Sequence, residues 1–126
     1  MIALVATVDG TFAVDLEDGS VLSADAFDPV PEPVLNLPRL VSAASLGSTV
    51  AAVVATKPPL LLSHDAGATW RAAGRGLPPG RAVAIAEDDP DTMLFAARNR
   101  LYLSRDGGVF WTAVAGELPE IRHLAL

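Results

Sequence analysis

The sequence predicts an all-β chain of three four-stranded antiparallel sheets. An eight-residue motif begins at Ser63 and begins again at Ser104, an offset of 41 residues. Short apolar stretches separated by turns recur at matching places in each repeat, and no stretch has the i, i+3, i+4, i+7 apolar spacing of an amphipathic helix. A period of this length with about four short strands per repeat is typical of a β-propeller blade.

The recurring motif is Ser-x-Asp-x-Gly-x-Thr-Trp, complete at residues 63–70 and with phenylalanine in place of threonine at residues 104–111. Its aspartate can accept hydrogen bonds from backbone N–H groups of the same turn, and its glycine permits a positive φ. We interpret the motif as a lock on a hairpin rather than a calcium site, because neither copy has the alternating acids of a calcium loop. The residues expected in this structural role are Ser63, Asp65, Gly67, Thr69, Trp70, Ser104, Asp106, Gly108 and Trp111.

The strands align in three copies around the motif. An inner strand begins at each of three arginines, Arg39, Arg81 and Arg122. The second strands align as residues 4–6, 53–55 and 94–96, and the third strands as residues 11–13, 60–62 and 101–103. The first repeat has lost the serine and tryptophan of the motif and keeps only an acidic turn with glycine at residues 17–20.

The first repeat starts at its second strand, and the missing inner strand stands at the other end of the chain. We therefore read residues 1–126 as one propeller segment: blade 1 is 1–38 plus strand 121–126, blade 2 is 39–78 and blade 3 is 79–120. Propellers usually have four to eight blades. We predict a homodimer of six blades through strand exchange of 121–126. The alternatives are a monomer whose last strand folds onto its own first blade, and a piece of a longer propeller.

The motif and its recurrence resemble the Asp-box, or BNR, repeat of the β-propeller family that includes sialidases, sortilin-type domains and photosystem II assembly factors. The resemblance covers nearly the whole chain and is weakest at residues 9–38. It implies a propeller of Asp-box type.

Composition limits the partners that we expect. The formal net charge is −6 and Lys57 is the only lysine, which argues against nucleic acid and anionic membranes as partners. The chain has no cysteine and no motif for a metal or a cofactor. We see no leader and expect a cytoplasmic protein without cofactors or metals.

The three arginines are the candidate ligand-binding residues. Inner strands line the axis of a propeller, so Arg39, Arg81 and Arg122 would stand around one channel mouth, where guanidinium groups suit carboxylates or phosphates. The alternative is that each arginine pairs with an acidic residue at a blade junction, such as Glu87 or Glu120.

We expect a non-enzymatic binding or scaffold module whose partner is an unknown protein or small molecule. The alternative is a reduced sialidase-like glycoside hydrolase or a glycan-binding protein, which would need a tyrosine or carboxylate nucleophile in the channel. The only tyrosine, Tyr102, is predicted on a middle strand. We interpret the acidic residues around Pro90 as a solvated turn, and we assign no residue as catalytic.

Overall fold

The protein is built entirely of β-strands and turns. The structure, a computed structural model, describes residues 1–126. It contains no helix that could cross a membrane. The strands are β1 (Ile2–Thr7), β2 (Gly10–Asp15), β3 (Val21–Ala24), β4 (Leu40–Leu46), β5 (Thr49–Val54), β6 (Leu60–Ser63), β7 (Arg71–Ala73), β8 (Gly80–Ala86), β9 (Asp89–Ala97), β10 (Leu101–Ser104), β11 (Thr112–Val114) and β12 (Ile121–Ala125).

The twelve strands form three four-stranded antiparallel sheets, which confirms the predicted fold class. Blade 2 contains β4 to β7 and blade 3 contains β8 to β11, both in chain order. Blade 1 has the order β12-β1-β2-β3, so that its inner strand comes from the end of the chain. In each blade the inner strand has one neighbour in its sheet and one edge without a strand partner.

Blade 3 lies between the other two blades. The side chains of its strand β8 point alternately to the two faces of the sheet, as in any β-strand. Ala82 and Ala84 pack in a buried cluster with blade 1, whereas Val83 and Ile85 pack in a second cluster with blade 2. The blades therefore follow one another in the order blade 2, blade 3, blade 1.

The last strand completes the first blade of its own chain. Leu124 pairs with Val5 and Ala125 pairs with Leu4, in an antiparallel ladder within the chain. In this structure the last strand thus folds onto the first blade of its own chain, as in the monomer alternative. The structure does not show the predicted strand exchange of 121–126 with a second copy. The physical reason is the connection of residues 25–39, which can span about 50 Å when extended and so lets blade 1 return to the far side of blade 3. A homodimer is not needed to pair this strand and stays a prediction.

One predicted strand alignment is wrong by two residues. Ala6 pairs with Thr11 and Ala96 pairs with Leu101, but in blade 2 the residue that pairs with Leu60 is Val53 rather than Ala55. The β5–β6 hairpin has two additional residues compared with the others, in a turn that contains Pro58 and Pro59. A shift of two residues leaves every side chain on its predicted face of the sheet. The pattern of buried and exposed residues therefore does not reveal the error.

Candidate functional site

A concave surface lies against the three inner strands. It is a cleft of about 360 Å³ lined by β4, β8 and β12 and, on its remaining side, by residues 29–32 of the connection between blades 1 and 2. The lining combines apolar side chains from the strands with the charged residues Arg81, Arg122, Glu32 and Glu87. Inner strands with an unpaired edge offer backbone donors and acceptors to anything that enters this cleft.

Two of the three predicted arginines lie in this cleft, at equivalent positions. Each inner strand has a bulge near its start, where one residue is left out of the ladder with the second strand. The bulge residues are Arg122 in β12, Arg81 in β8 and Val41 in β4. Arg39 precedes β4, has a positive φ of 58° and does not line the cleft. A ring of three equivalent arginines is therefore wrong for this chain.

The sequence holds a signal for this equivalence. Arg81 and Arg122 each stand three residues after the proline of a Leu-Pro pair, and the residue three positions after Pro38 is Val41. Alignment on the arginine itself, rather than on the Leu-Pro turn, placed Arg39 two residues too early.

The two arginines in the cleft differ in their partners. Arg81 donates from Nη2 to Glu120 Oε1 at 2.9 Å, and Arg98 Nε lies 3.6 Å from the same oxygen. Arg81 thus pairs with an acidic residue at a blade junction, as the alternative hypothesis predicts for these arginines. Arg122 is exposed and makes no ion pair, so its guanidinium group is free to meet a ligand.

His123 adds an unusual polar group to the cleft. It lies on β12 beside Arg122, and its Nε2 atom is buried without a hydrogen-bond partner. The ring of Phe27 packs edge-on against the imidazole, with centroids 4.9 Å apart. Most buried polar atoms have a hydrogen-bond partner, and this nitrogen has none within the protein.

The two Ser-x-Asp-x-Gly turns have nearly the same hydrogen bonds. In the first turn Ser63 Oγ donates to Asp65 Oδ1 at 2.7 Å and accepts from the N–H of Gly67 at 2.8 Å, and Asp65 accepts from the N–H of Thr69. The second turn repeats this with Ser104, Asp106, Gly108 and Phe110 at 2.8 to 3.0 Å. Both glycines have φ near 90°. The motif residues therefore lock their own turns.

These hydrogen bonds stabilise the ionised form of each aspartate. The side-chain hydrogen bond from Thr69, followed by the backbone N–H of Thr69 and the hydroxyl of Ser63, lowers the pKa of Asp65 from 3.8 to about 2. The backbone hydrogen bond from Phe110 and the hydroxyl of Ser104 also lower the pKa of Asp106. Both carboxylates accept hydrogen bonds within their own turns.

The second turn also fastens blade 3 to blade 2. A Cβ at Gly108 would lie 2.6 Å from Leu62 Cδ1, and Arg71 of blade 2 donates to the carbonyl of Gly107 at 3.2 Å. Trp111 donates from Nε1 to the Gly108 carbonyl at 3.0 Å and packs against Phe95, with ring centroids 6.0 Å apart. The first turn has no blade beyond it, and Trp70 is half-buried.

The remaining candidates take structural positions. Asp89 accepts from the N–H of Asp91 at 3.0 Å and from the hydroxyl of Thr92 at 2.9 Å, as in an ordinary turn. Tyr102 lies on β10, a middle strand, and packs near Phe95 with centroids 6.2 Å apart, away from the cleft. His64 is exposed at a variable position of the first turn.

Replacing Asp65 with asparagine should change how stability depends on pH. Because the folded pKa of Asp65 is about 2 and its ordinary value is 3.8, its contribution is complete above pH 4 and is lost as pH falls towards 2. We expect the difference in unfolding free energy between wild type and Asp65→Asn to be largest above pH 4 and to shrink below it. Urea unfolding from pH 2.5 to 6 measures this, with Asp25→Asn, at an exposed position, as the control. A difference that does not vary with pH would contradict the assignment.

Comparisons with known proteins support the fold. No protein-family model matches the chain, and no curated protein matches it in sequence. Among solved structures, it is similar to a GH74 enzyme of Niastella koreensis, with a TM-score of 0.51 and 23% identity over 89% of this chain. It is also similar to YCF48 bound to D1 peptide, with a TM-score of 0.52 and 17% identity over 88% of this chain. Both are propellers.

This chain therefore has a β-propeller-like fold. It spans only 17% of the length of the GH74 chain and 39% of that of YCF48. At these identities the likeness concerns the fold alone.

Sequence reasoning missed the contribution of the connection between blades 1 and 2. Glu32 accepts from Ser42 Oγ and from the backbone N–H of Ala43, both at 2.7 Å, although it lies in a segment that reads as a proline-rich linker. No local sequence pattern predicts these contacts. Only the return of the chain to β4 brings Glu32 to the edge of this strand.

Proposed function

We propose that this chain is a non-enzymatic propeller module of Asp-box type whose cleft binds an extended peptide segment of a partner protein. The observation that carries the proposal is the cleft on the inner strands, where three strand edges, apolar side chains and the unpaired Arg122 meet. Extended peptides bind such places through main-chain hydrogen bonds to strand edges, with side-chain pockets giving selectivity. The YCF48 structure, which is similar in fold, holds a D1 peptide, and this supports a peptide as the class of ligand.

The Asp-box assignment is part of the same proposal. The two turns of residues 63–70 and 104–111 have matching hydrogen bonds and matching glycine φ values, which supports a common repeat. The second turn lies at a blade junction, so the repeat would serve to hold rigid blades together. A rigid frame that presents a cleft is what a binding or scaffold module requires.

The glycoside hydrolase alternative has less support from the cleft. Its two lining carboxylates are Glu87 and Glu32, and Glu32 is occupied by hydrogen bonds to β4. Tyr102 does not line the cleft. Hydrolysis requires two carboxyl groups that are free to flank a glycosidic bond. Glu87 and Glu32 do not form such a pair in this arrangement.

Reversing the charge at Arg122 should weaken peptide binding. We would screen wild-type protein against an array of ten-residue peptides and measure affinity for the best binders by fluorescence anisotropy. For Arg122→Glu we expect the affinity to fall at least tenfold, because a carboxylate would replace the free cation of the cleft. The matched control is Arg75→Glu, an exposed arginine in the turn after β7 that does not line the cleft.

Two outcomes would overturn the proposed function. One is the absence of any peptide that wild-type protein binds more tightly than about 100 µM, which corresponds to about 5.5 kcal/mol of binding free energy. The other is an equal loss of affinity in both variants, which would mean that the effect of charge is not confined to the cleft.

A further inference from the structure

The segment 27–32, which we call the strap, crosses the cleft and is fastened at its two ends. At one end the Phe27 ring packs edge-on against His123 of blade 1, and at the other end the Glu32 carboxylate is held by Ser42 and Ala43 of blade 2. Between them, residues 29–31 form one wall of the cleft. The strap therefore reaches from the inner strand of blade 1 to that of blade 2.

The contact of Glu32 is that of a carboxylate bound at a strand edge. One oxygen, Oε1, accepts two hydrogen bonds of 2.7 Å, one from a hydroxyl and one from a backbone N–H. Distances this short are typical of hydrogen bonds to a charged acceptor, which are about twice as strong as neutral ones. Ser42 is buried, whereas Glu32 is exposed, so the donor group belongs to the frame and the carboxylate comes to it from outside.

The rest of the strap is weakly held. Pro29, Val30 and Pro31 are exposed, and Val30 keeps 54% of its accessible surface. No backbone hydrogen bond joins residues 27–32 to the sheets. Segments with few buried contacts and few backbone hydrogen bonds open at low free-energy cost. The alternate prolines at 29, 31 and 33 restrict φ and keep the segment extended whether or not it is bound.

We propose that the strap is an internal occupant of a carboxylate subsite at Ser42 and Ala43, and that an extended, proline-containing acidic peptide displaces it. The ligand would place a glutamate or aspartate side chain on these two donors and its backbone along the unpaired edge of β4. Displacement would also uncover His123 Nε2, the buried nitrogen without a partner, which lies beside the exposed Arg122. Arg81 is paired with Glu120, so the unpaired cation of the lining is Arg122, which can contact a further acidic group of the ligand. This inference rests on the proposed function and adds the chemistry of the peptide.

The strap competes with such a ligand at a high effective concentration. A short flexible tether typically presents its end at millimolar concentration, so a peptide with the same contacts must exceed that level to bind the intact protein. Loss of Glu32 should therefore strengthen the binding of an acidic peptide, although it removes a native hydrogen bond. If Glu32 only stabilised the fold, its loss would weaken the binding of an acidic peptide or leave it unchanged.

The test uses the full chain and two blocked peptides. The probe has the sequence of residues 28–33, Asp-Pro-Val-Pro-Glu-Pro, and its partner probe carries glutamine in place of the glutamate. Proteins are wild type, Glu32→Ala, and Glu117→Ala as a matched control, because Glu117 is exposed, lies outside the strap and makes no ion pair. Affinity is measured by anisotropy, and the backbone amide of Ala43 is followed by NMR. Thermal unfolding verifies that each variant is folded.

We expect Glu32→Ala to bind the acidic probe at least fivefold more tightly than wild type or Glu117→Ala does. The Ala43 amide should move upfield in Glu32→Ala and return when the acidic probe is added, but not when the glutamine probe is added. Equal affinity of Glu32→Ala for both probes, or an Ala43 amide that responds to neither, would overturn the inference.

The two proposals fail separately. Arg122-dependent binding of library peptides with no response of Ala43 to the acidic probe would overturn the strap inference and leave the proposed function intact. If Glu32→Ala does not unfold cooperatively, Glu32→Gln replaces it, since glutamine is uncharged but similar in size. Restoration of the Ala43 shift by the acidic probe is then expected, and its absence counts against the inference.

Discussion

Phe95→Ala should destabilise the protein by about 3 to 5 kcal/mol, the usual cost of removing a buried phenylalanine from a core. Phe95 is fully buried near the end of β9 and packs against Tyr102 and Trp111 in the cluster that joins blades 2 and 3. The loss of its ring removes contacts from both blades at once. Because domains of this size have total stabilities of about 5 to 15 kcal/mol, the variant should lie close to unfolding.

The chain provides a matched control for this prediction. Phe110 is also a phenylalanine but is 75% exposed, so Phe110→Ala should change the unfolding free energy by less than about 0.5 kcal/mol. Urea unfolding of both variants measures the difference. Equal losses in the two variants would show that β9 does not have the buried position described above.

Deleting Ile121–Leu126 should have the second large effect. The deletion removes Ile121 and Leu124, which are 0% and 4% exposed, from the cluster between blades 1 and 3. Burial of two such side chains contributes about 3 to 6 kcal/mol, and the ladder to β1 is lost as well. The inner edge of blade 1 would then be exposed, which favours aggregation.

Amide hydrogen exchange reports this loss locally. We expect β1, β2 and β3 to lose protection first, whereas β5 and β9, in the other two blades, keep theirs for longer. The control removes Leu126 alone, which lies beyond the end of β12 and leaves its ladder intact. Unchanged protection of β1 in the longer deletion would contradict the role assigned to β12.

The parts of the fold that the sequence predicted are those set by local patterns. The Ser-x-Asp-x-Gly turns formed because their donors and acceptors lie within four residues of one another. The alternation in β8 was readable because side chains on a strand change face at every residue. Both signals need no knowledge of distant parts of the chain.

The errors come from features that depend on register or on distant contacts. Arg39 and Arg81 share a residue type but differ in their distance from the Leu-Pro turn, and bulges have no sequence signature strong enough to show that only the distance matters. Glu32 was missed because its partners, Ser42 and Ala43, are met only after the chain returns to blade 2. Pairing of β12 within the chain and pairing between chains involve the same residues, so no pattern in the sequence separates them.

The pairing of the last strand with the first blade of the same molecule is tested most directly by NMR on an equal mixture of ¹³C-labelled and unlabelled chains, unfolded together and refolded. We expect contacts between the side chains of Val5 and Leu124 within labelled chains and no such contact between a labelled and an unlabelled chain. Contacts of Val5 with Leu124 that appear only between chains would contradict it.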